Sequence, residues 1–163
     1  MSQTMLRIKD PEPSLRFYTE YMGMSLLAER HYPPEKGDFS LFFLCNSDAL
    51  PDPKALADPK TPEAMEYIRS DLYSSGVPVL ELTHNHGTEK DPAFMHRNGN
   101  EEDSRGFGHI GFLVPDVDAF CESLAGKGVS FHKLPQEGAI KGIAFAKDPD
   151  GYLIELIQTG WTL

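Results

Sequence analysis

Positive charge is what this chain has least of. Its 163 residues hold 15 lysines and arginines against 25 aspartates and glutamates, a formal net charge of −10 with histidine neutral. Binding to a nucleic-acid backbone draws on counterions released by clustered cations, so this balance argues against a nucleic-acid partner. Long apolar runs are also missing: nothing approaches the roughly 18 apolar residues of a membrane-spanning helix. The opening stretch Met-Ser-Gln-Thr-Met-Leu-Arg-Ile-Lys-Asp lacks the apolar centre of a secretion signal and reads as a strand edge, so the expectation is a cytoplasmic protein with no membrane partner. Cysteine is scarce, with only Cys45 and Cys121, both in apolar surroundings. That excludes a disulfide framework and predicts two buried, reduced thiols. Tryptophan occurs once, but ten phenylalanines, six tyrosines and an apolar fraction of 40% supply a core and exclude wholesale disorder.

What is present is a weak internal repeat. Gln3 stands seven residues before Asp10, and His109 seven before Asp116. Each aspartate opens a helical pattern. Pro11 takes a first-turn position, followed by Leu15, Tyr18, Tyr21 and Met22 up to Gly23; in the second copy Val117, Phe120, Cys121 and Leu124 run to Gly126 and Gly128. Strand material follows in matched order: residues 24–27 and 129–131, then 41–44 and 143–145, then 77–83 and 152–157. The pattern predicts an α+β fold of paired βαβββ modules within a single domain of residues 1–163. One module covers about 1–83 and the other about 105–160, joined by a long loop over 84–104 whose length points to function. From Gln3 to Glu81 is 78 positions and from His109 to Glu155 is 46. Most of the surplus falls in 47–76, where Pro51, Pro53, Pro59 and Pro62 predict a surface excursion with one short helix around 63–69.

Glu81 lies between Leu80 and Leu82, and Glu155 between Ile154 and Leu156, on strands apolar along both faces. The strand His109–Val114 is apolar after its first residue. Strands of this kind are expected to be covered on both sides. An unpaired ionised carboxylate there would cost several kcal/mol or neutralise itself. An arginine partner answers this for one glutamate taken alone. Two acids in equivalent positions, with Gln3 and His109 opening the equivalent first strands, suggest a common answer: a divalent cation. An amide oxygen, an imidazole and two carboxylates suit Zn²⁺, Ni²⁺, Mn²⁺ or Co²⁺. They would converge if the modules pair about a pseudo-twofold axis. His31 and His132 are expected at the surface and His96 solvated in the connecting loop. Strand alternation turns His84 and His86 away from the face of Glu81.

The motifs resemble those of the glyoxalase I family of the vicinal-oxygen-chelate superfamily over nearly the whole chain. They are Gln3-Thr4-Met5-Leu6-Arg7-Ile8-Lys9-Asp10-Pro11, Phe17-Tyr18 with Gly23-Met24, Phe39-Ser40-Leu41, and Leu80-Glu81-Leu82-Thr83-His84-Asn85 with Gly87-Thr88-Glu89. Then come Asn98-Gly99-Asn100, Arg105-Gly106-Phe107-Gly108-His109-Ile110, and Asp148-Pro149-Asp150-Gly151-Tyr152 with Ile154-Glu155. The resemblance implies metal ligands at Gln3, Glu81, His109 and Glu155. It implies glutathione contacts at Arg7 and Asn85 for the γ-glutamyl end and at Arg105 and Lys133 for carboxylates, with Lys141 in the 136–142 loop assisting. Such a basic rim would hold an anionic tripeptide on an acidic protein.

The reaction so implied isomerises the hemithioacetal of glutathione and methylglyoxal to S-D-lactoylglutathione. The metal acts as Lewis acid, Glu155 moves the proton from C1 to C2, and Glu81 faces the substrate from the other side. The family's longer form is typically zinc-dependent, so Zn²⁺ is expected, with Ni²⁺ the alternative. A homodimer is implied as well, Gln3 and Glu81 of one chain meeting His109 and Glu155 of the other. The chain departs from the family at His86 and Leu153, where tryptophan is usual, and only two residues precede Gln3 where relatives carry an arm. Two further functions are consistent with the same residues: another metal-dependent enzyme of the superfamily, such as an epimerase or dioxygenase, or a non-catalytic small-ligand-binding protein. An extradiol iron site prefers two histidines and one carboxylate, whereas one histidine stands at the key positions here.

Overall fold

A computed structural model of the chain describes residues 2–50 and 58–161. Pro51 and Pro53 of the expected excursion lie outside the described residues. The chain divides into two compact units, Met1–His96 and Arg97–Leu163, and each builds its own four-stranded sheet.

The first unit runs β1 (Gln3–Ile8), α1 (Pro11–Arg16), β2 (Met24–Tyr32), β3 (Phe39–Asn46), α2 (Pro62–Tyr67), α3 (Tyr73–Ser75) and β4 (Val79–Asn85). Its strand order is β1-β4-β3-β2, with β1 parallel to β4 and the other pairs antiparallel. Asp10 starts α1 as the sequence predicts: its carboxylate accepts the Glu12 amide at 3.0 Å, and Pro11 needs no amide partner in the first turn. The helix continues into a π-type turn, Phe17–Tyr21, whose Phe17 and Tyr18 are buried. One sheet face carries Leu6, Ile8, Phe42, Leu44, Leu80 and Leu82, all buried. The opposite face carries Gln3, Met5, Arg7 and Glu81, because side chains alternate along a strand.

Residues 62–75 are not a surface excursion with one short helix. They form a longer helical run, α2 passing through a π-type turn (Ile68–Leu72) into α3. Thr61 caps its start through the Ala64 amide, with Pro62 in the first turn, and Gly76 ends it at φ 79°. Ala64, Met65, Ile68 and Leu72 recur at helical spacing and pack with Phe43, Cys45 and Val79. The segment therefore supplies core to the sheet face that carries Glu81.

The second unit repeats the order with β5 (His109–Val114), α4 (Val117–Gly126), β6 (Phe131–Lys133), β7 (Ile143–Lys147) and β8 (Leu153–Gln158). Its sheet is β5-β8-β7-β6, with β5 parallel to β8. Asp116 caps α4 by accepting the Ala119 amide at 3.0 Å. Val117, Cys121 and Leu124 form the buried stripe of α4, which packs on β7 and β8. Asp148 is the hub of the β7–β8 hairpin, its carboxylate accepting the amides of Asp150 at 3.0 Å and Tyr152 at 2.8 Å. The two units share one βαβββ connectivity, as the repeat predicts.

Two expectations need correction. β5 is not covered on both faces: it is the edge of its sheet, and Leu113 is 71% exposed. On β8 only the face of Ile154 and Leu156 is fully buried, while Glu155 and Ile157 are half-buried. Apolar composition on both sides of a strand therefore overstated the burial of Glu155. The segment after Thr83 is also more ordered than a loop, since β4 continues through Asn85 and a 3₁₀ turn occupies Thr88–Lys90. Among the described residues, no helix is long and apolar enough to cross a membrane.

Candidate active site

In the first unit, Gln3 and Glu81 meet. Gln3 Nε2 donates to Glu81 Oε2 at 2.7 Å, and Thr83 Oγ1 donates to the other carboxylate oxygen at 3.3 Å. The carboxamide oxygen of Gln3 accepts from the Tyr73 hydroxyl, brought in by the helical run over residues 62–75. Burial, and next the negative charge of Glu81, push the Tyr73 phenol above its usual range, so it stays a donor at neutral pH. Tyr73 escaped the sequence reading because no repeat partner marks it.

In the second unit, His109 and Glu155 meet. His109 Nε2 lies 3.3 Å from Glu155 Oε2, and its ring stands edge-on to Phe145. The two pairs occupy the same ladder position. Glu81 is the strand partner of Met5, two residues beyond Gln3, and Glu155 is the partner of Gly111, two residues beyond His109. Gln3, Glu81 and Glu155 are half-buried, and His109 is exposed at the start of β5.

This donor chemistry fits a divalent cation. Each pair offers a carboxylate beside a carboxamide or an imidazole, and no lysine or arginine ion pair is seen at either glutamate among the described residues. Neither unit by itself gathers three histidine, cysteine, aspartate or glutamate side chains that could hold a metal, again among the described residues.

The expected substrate contacts separate into two groups. Arg7 and Asn85 come together, Nη1 donating to Oδ1 at 3.0 Å on the exposed ends of β1 and β4. The Gly87-Thr88-Glu89 motif secures that end. The Thr88 hydroxyl lies 2.7 Å from the Lys9 carbonyl, and Glu89 accepts the His84 ring at 2.9 Å and the Gly87 amide at 2.8 Å. Hydrogen bonds, first from its own backbone amide, hold the Glu89 carboxyl below its usual range.

Arg105 lines a cavity of about 530 Å³ in the second unit with Asn98, Asn100, His132 and Lys147. Lys133 and Lys141 are not aligned with it there. Their ammonium groups bond to main chain instead, Lys133 to the Ile143 carbonyl at 2.6 Å and Lys141 to the Gln136 carbonyl at 2.6 Å. Each ties down the loop between β6 and β7. Lys147, at the end of β7, lines the same cavity as Arg105, and the sequence does not single it out.

The remaining histidines lie apart from the two glutamates' partners. His31 and His132 are exposed, as expected. His86 Nδ1 lies 2.6 Å from Asp38 Oδ1 and its Nε2 2.8 Å from Ser40 Oγ, which bridges to His31 at 3.1 Å. His96 is not solvated: it is half-buried, packed against Phe94, and its Nε2 is buried without a hydrogen-bond partner among the described residues.

Two βαβββ sheets, one carrying Gln3 beside Glu81 and the other His109 beside Glu155, define a class of protein. Residues 1–156 match the Glyoxalase/Bleomycin resistance protein/Dioxygenase superfamily, and the chain belongs to it. Within that superfamily its similarity is to glyoxalase I. The lactoylglutathione lyase of Pseudomonas putida is 46% identical over 157 residues, which cover 96% of this chain and 83% of that protein. The glyoxalase I of Saccharomyces cerevisiae is 47% identical over 158 residues, and there the chain spans only 44% of the relative's length. Among solved structures, the trypanothione-dependent glyoxalase I of Leishmania major matches with a TM-score of 0.63 at 28% identity, covering 97% of this chain and 85% of that one.

Proposed function

We propose that this chain is a lactoylglutathione lyase that isomerises the hemithioacetal of glutathione and methylglyoxal to S-D-lactoylglutathione, in the cytoplasm and as a homodimer. The observation that carries the reading is the matched placement of Gln3 beside Glu81 and of His109 beside Glu155, on a chain so similar to lactoylglutathione lyases. In this reading the four side chains hold one divalent cation, Zn²⁺ ahead of Ni²⁺. The bound cation would supply Lewis-acid stabilisation of the negative charge that develops on the substrate's two adjacent oxygens. Glu155 accepts the C1 proton and returns it to C2. Glu81 faces the substrate from the opposite side. Arg7 and Asn85 orient the γ-glutamyl end, and Arg105, with Lys133 and Lys141, receives carboxylates.

The test follows thioester absorbance with methylglyoxal and glutathione. Protein supplied with Zn²⁺ or Ni²⁺ forms thioester, chelation abolishes it, and returning the metal restores it. No thioester from the metal-replete protein would favour an epimerase, a dioxygenase or a ligand-binding role for the same fold.

A further inference from the structure

We propose that Tyr73 is a positioning residue that holds the Gln3 carboxamide in the one orientation able to ligate a cation, an inference that rests on the reading of Gln3 as a metal ligand. A carboxamide is a poor ligand to leave unrestrained, because its oxygen and nitrogen are nearly the same size and only the oxygen coordinates a metal. In this protein both ends are specified. Glu81 Oε2, an acceptor when ionised, takes Gln3 Nε2 at 2.7 Å. The Tyr73 hydroxyl donates to Gln3 Oε1. An amide oxygen has two lone pairs, so accepting from Tyr73 leaves one to present to a cation.

Tyr73 is itself held in place. It follows the fully buried Leu72 at the junction of the π-type turn and α3, and it packs against the core that Ile68, Leu72 and Val79 make with β3. The second unit contains no such helical run among its described residues. The segment 62–75 thus has a role beyond core packing: it carries a hydrogen-bond donor to a ligand that needs one. Partners of this kind fix the geometry of the ligand they touch, and their loss typically weakens metal binding by about 10- to 100-fold.

The experiment measures Zn²⁺ affinity by competition with a chromogenic chelator, for the full chain and for Tyr73→Phe, Gln3→Ala and the double variant. Tyr73→Phe is expected to weaken Zn²⁺ binding at least about tenfold. On the Gln3→Ala background the same change should cost less than about twofold, since Tyr73 acts through Gln3. Leu72→Ala, which loosens the same helix while keeping the hydroxyl, should leave the coupling between Tyr73 and Gln3 intact. Affinity in Tyr73→Phe equal to or tighter than wild type would overturn the assignment, and so would losses that simply add. Wild type that binds Zn²⁺ beside an unaffected Tyr73→Phe refutes Tyr73 alone. A wild type that binds no Zn²⁺ refutes the ligand reading and this inference together.

Discussion

Glu81 Oε2 accepts the Gln3 carboxamide at 2.7 Å, although the strand partner of Glu81 is Met5. The same two-residue offset joins His109 to Glu155, whose strand partner is Gly111. In a parallel pair, residues that share a face repeat every two positions, so long side chains reach one step along the ladder. The edge strands β1 and β5, each parallel to the interior strand beside it, therefore carry matching arrangements, Gln3 or His109 beside a glutamate.

The role assigned to Glu155 gives a sharp expectation. Glu155→Gln keeps an oxygen ligand but removes the base. Turnover should fall about 10²- to 10⁴-fold while metal still binds. A variant that binds metal with full turnover would show that another group moves the proton.

Arg7 lies away from the reacting atoms in this account and acts on binding. Its Nη1 already meets Asn85 at 3.0 Å, which preorganises the pair. Arg7→Ala should raise KM for the hemithioacetal about 10- to 100-fold, the worth of a hydrogen bond to a charged group, with kcat little changed. A fall in kcat at unchanged KM would place Arg7 in the chemistry instead.

Gly99 is needed for the loop that carries Arg105. It has φ of +82°, and an added Cβ would sit 2.5 Å from the Phe107 amide nitrogen. Glu101 accepts the Asn98 and Gly99 amides at 3.1 Å each, so the turn has little freedom to adjust. Gly99→Ala should destabilise the chain by about 1–3 kcal/mol, read as a lower urea midpoint. An unchanged midpoint would mean that the loop relaxes.

Burial pushes both thiols, Cys45 and Cys121, up to about 11. Below that pH they are protonated, and the nucleophilic thiolate is scarce. Alkylation of the native protein at pH 8 should be slow, should accelerate as pH nears 11, and should be fast in denaturant. Fast native labelling at pH 8 would contradict the buried placement.

The matched pairing of Gln3 with Glu81 and of His109 with Glu155 was legible because the module is duplicated. Asp10 and Asp116 marked equivalent helix starts, each seven residues after Gln3 or His109, and the matched last strands placed Glu81 and Glu155 between aliphatic neighbours. Duplication also set the limit. Tyr73 belongs to a segment without a counterpart, and its approach to Gln3 depends on how the run 62–75 packs on β3 and β4. The main-chain bonds of Lys133 and Lys141, and the place of Lys147 at the cavity that Arg105 lines, were not legible for a related reason. Where a flexible cation ends up is set by nearby main-chain carbonyls and hairpin geometry, which leave no periodic trace. The exposure of Leu113 was hidden because composition does not say which strand becomes the sheet edge.

The central claim is that Gln3, Glu81, His109 and Glu155 share one cation. The most direct measurement is bound zinc per chain after equilibration with Zn²⁺, in wild type and in Glu81→Ala and His109→Ala, one substitution in each unit. The account predicts one ion per wild-type chain and a severe loss from either substitution alone. Zinc retained in full by both variants, or binding that only one of them weakens, would contradict it.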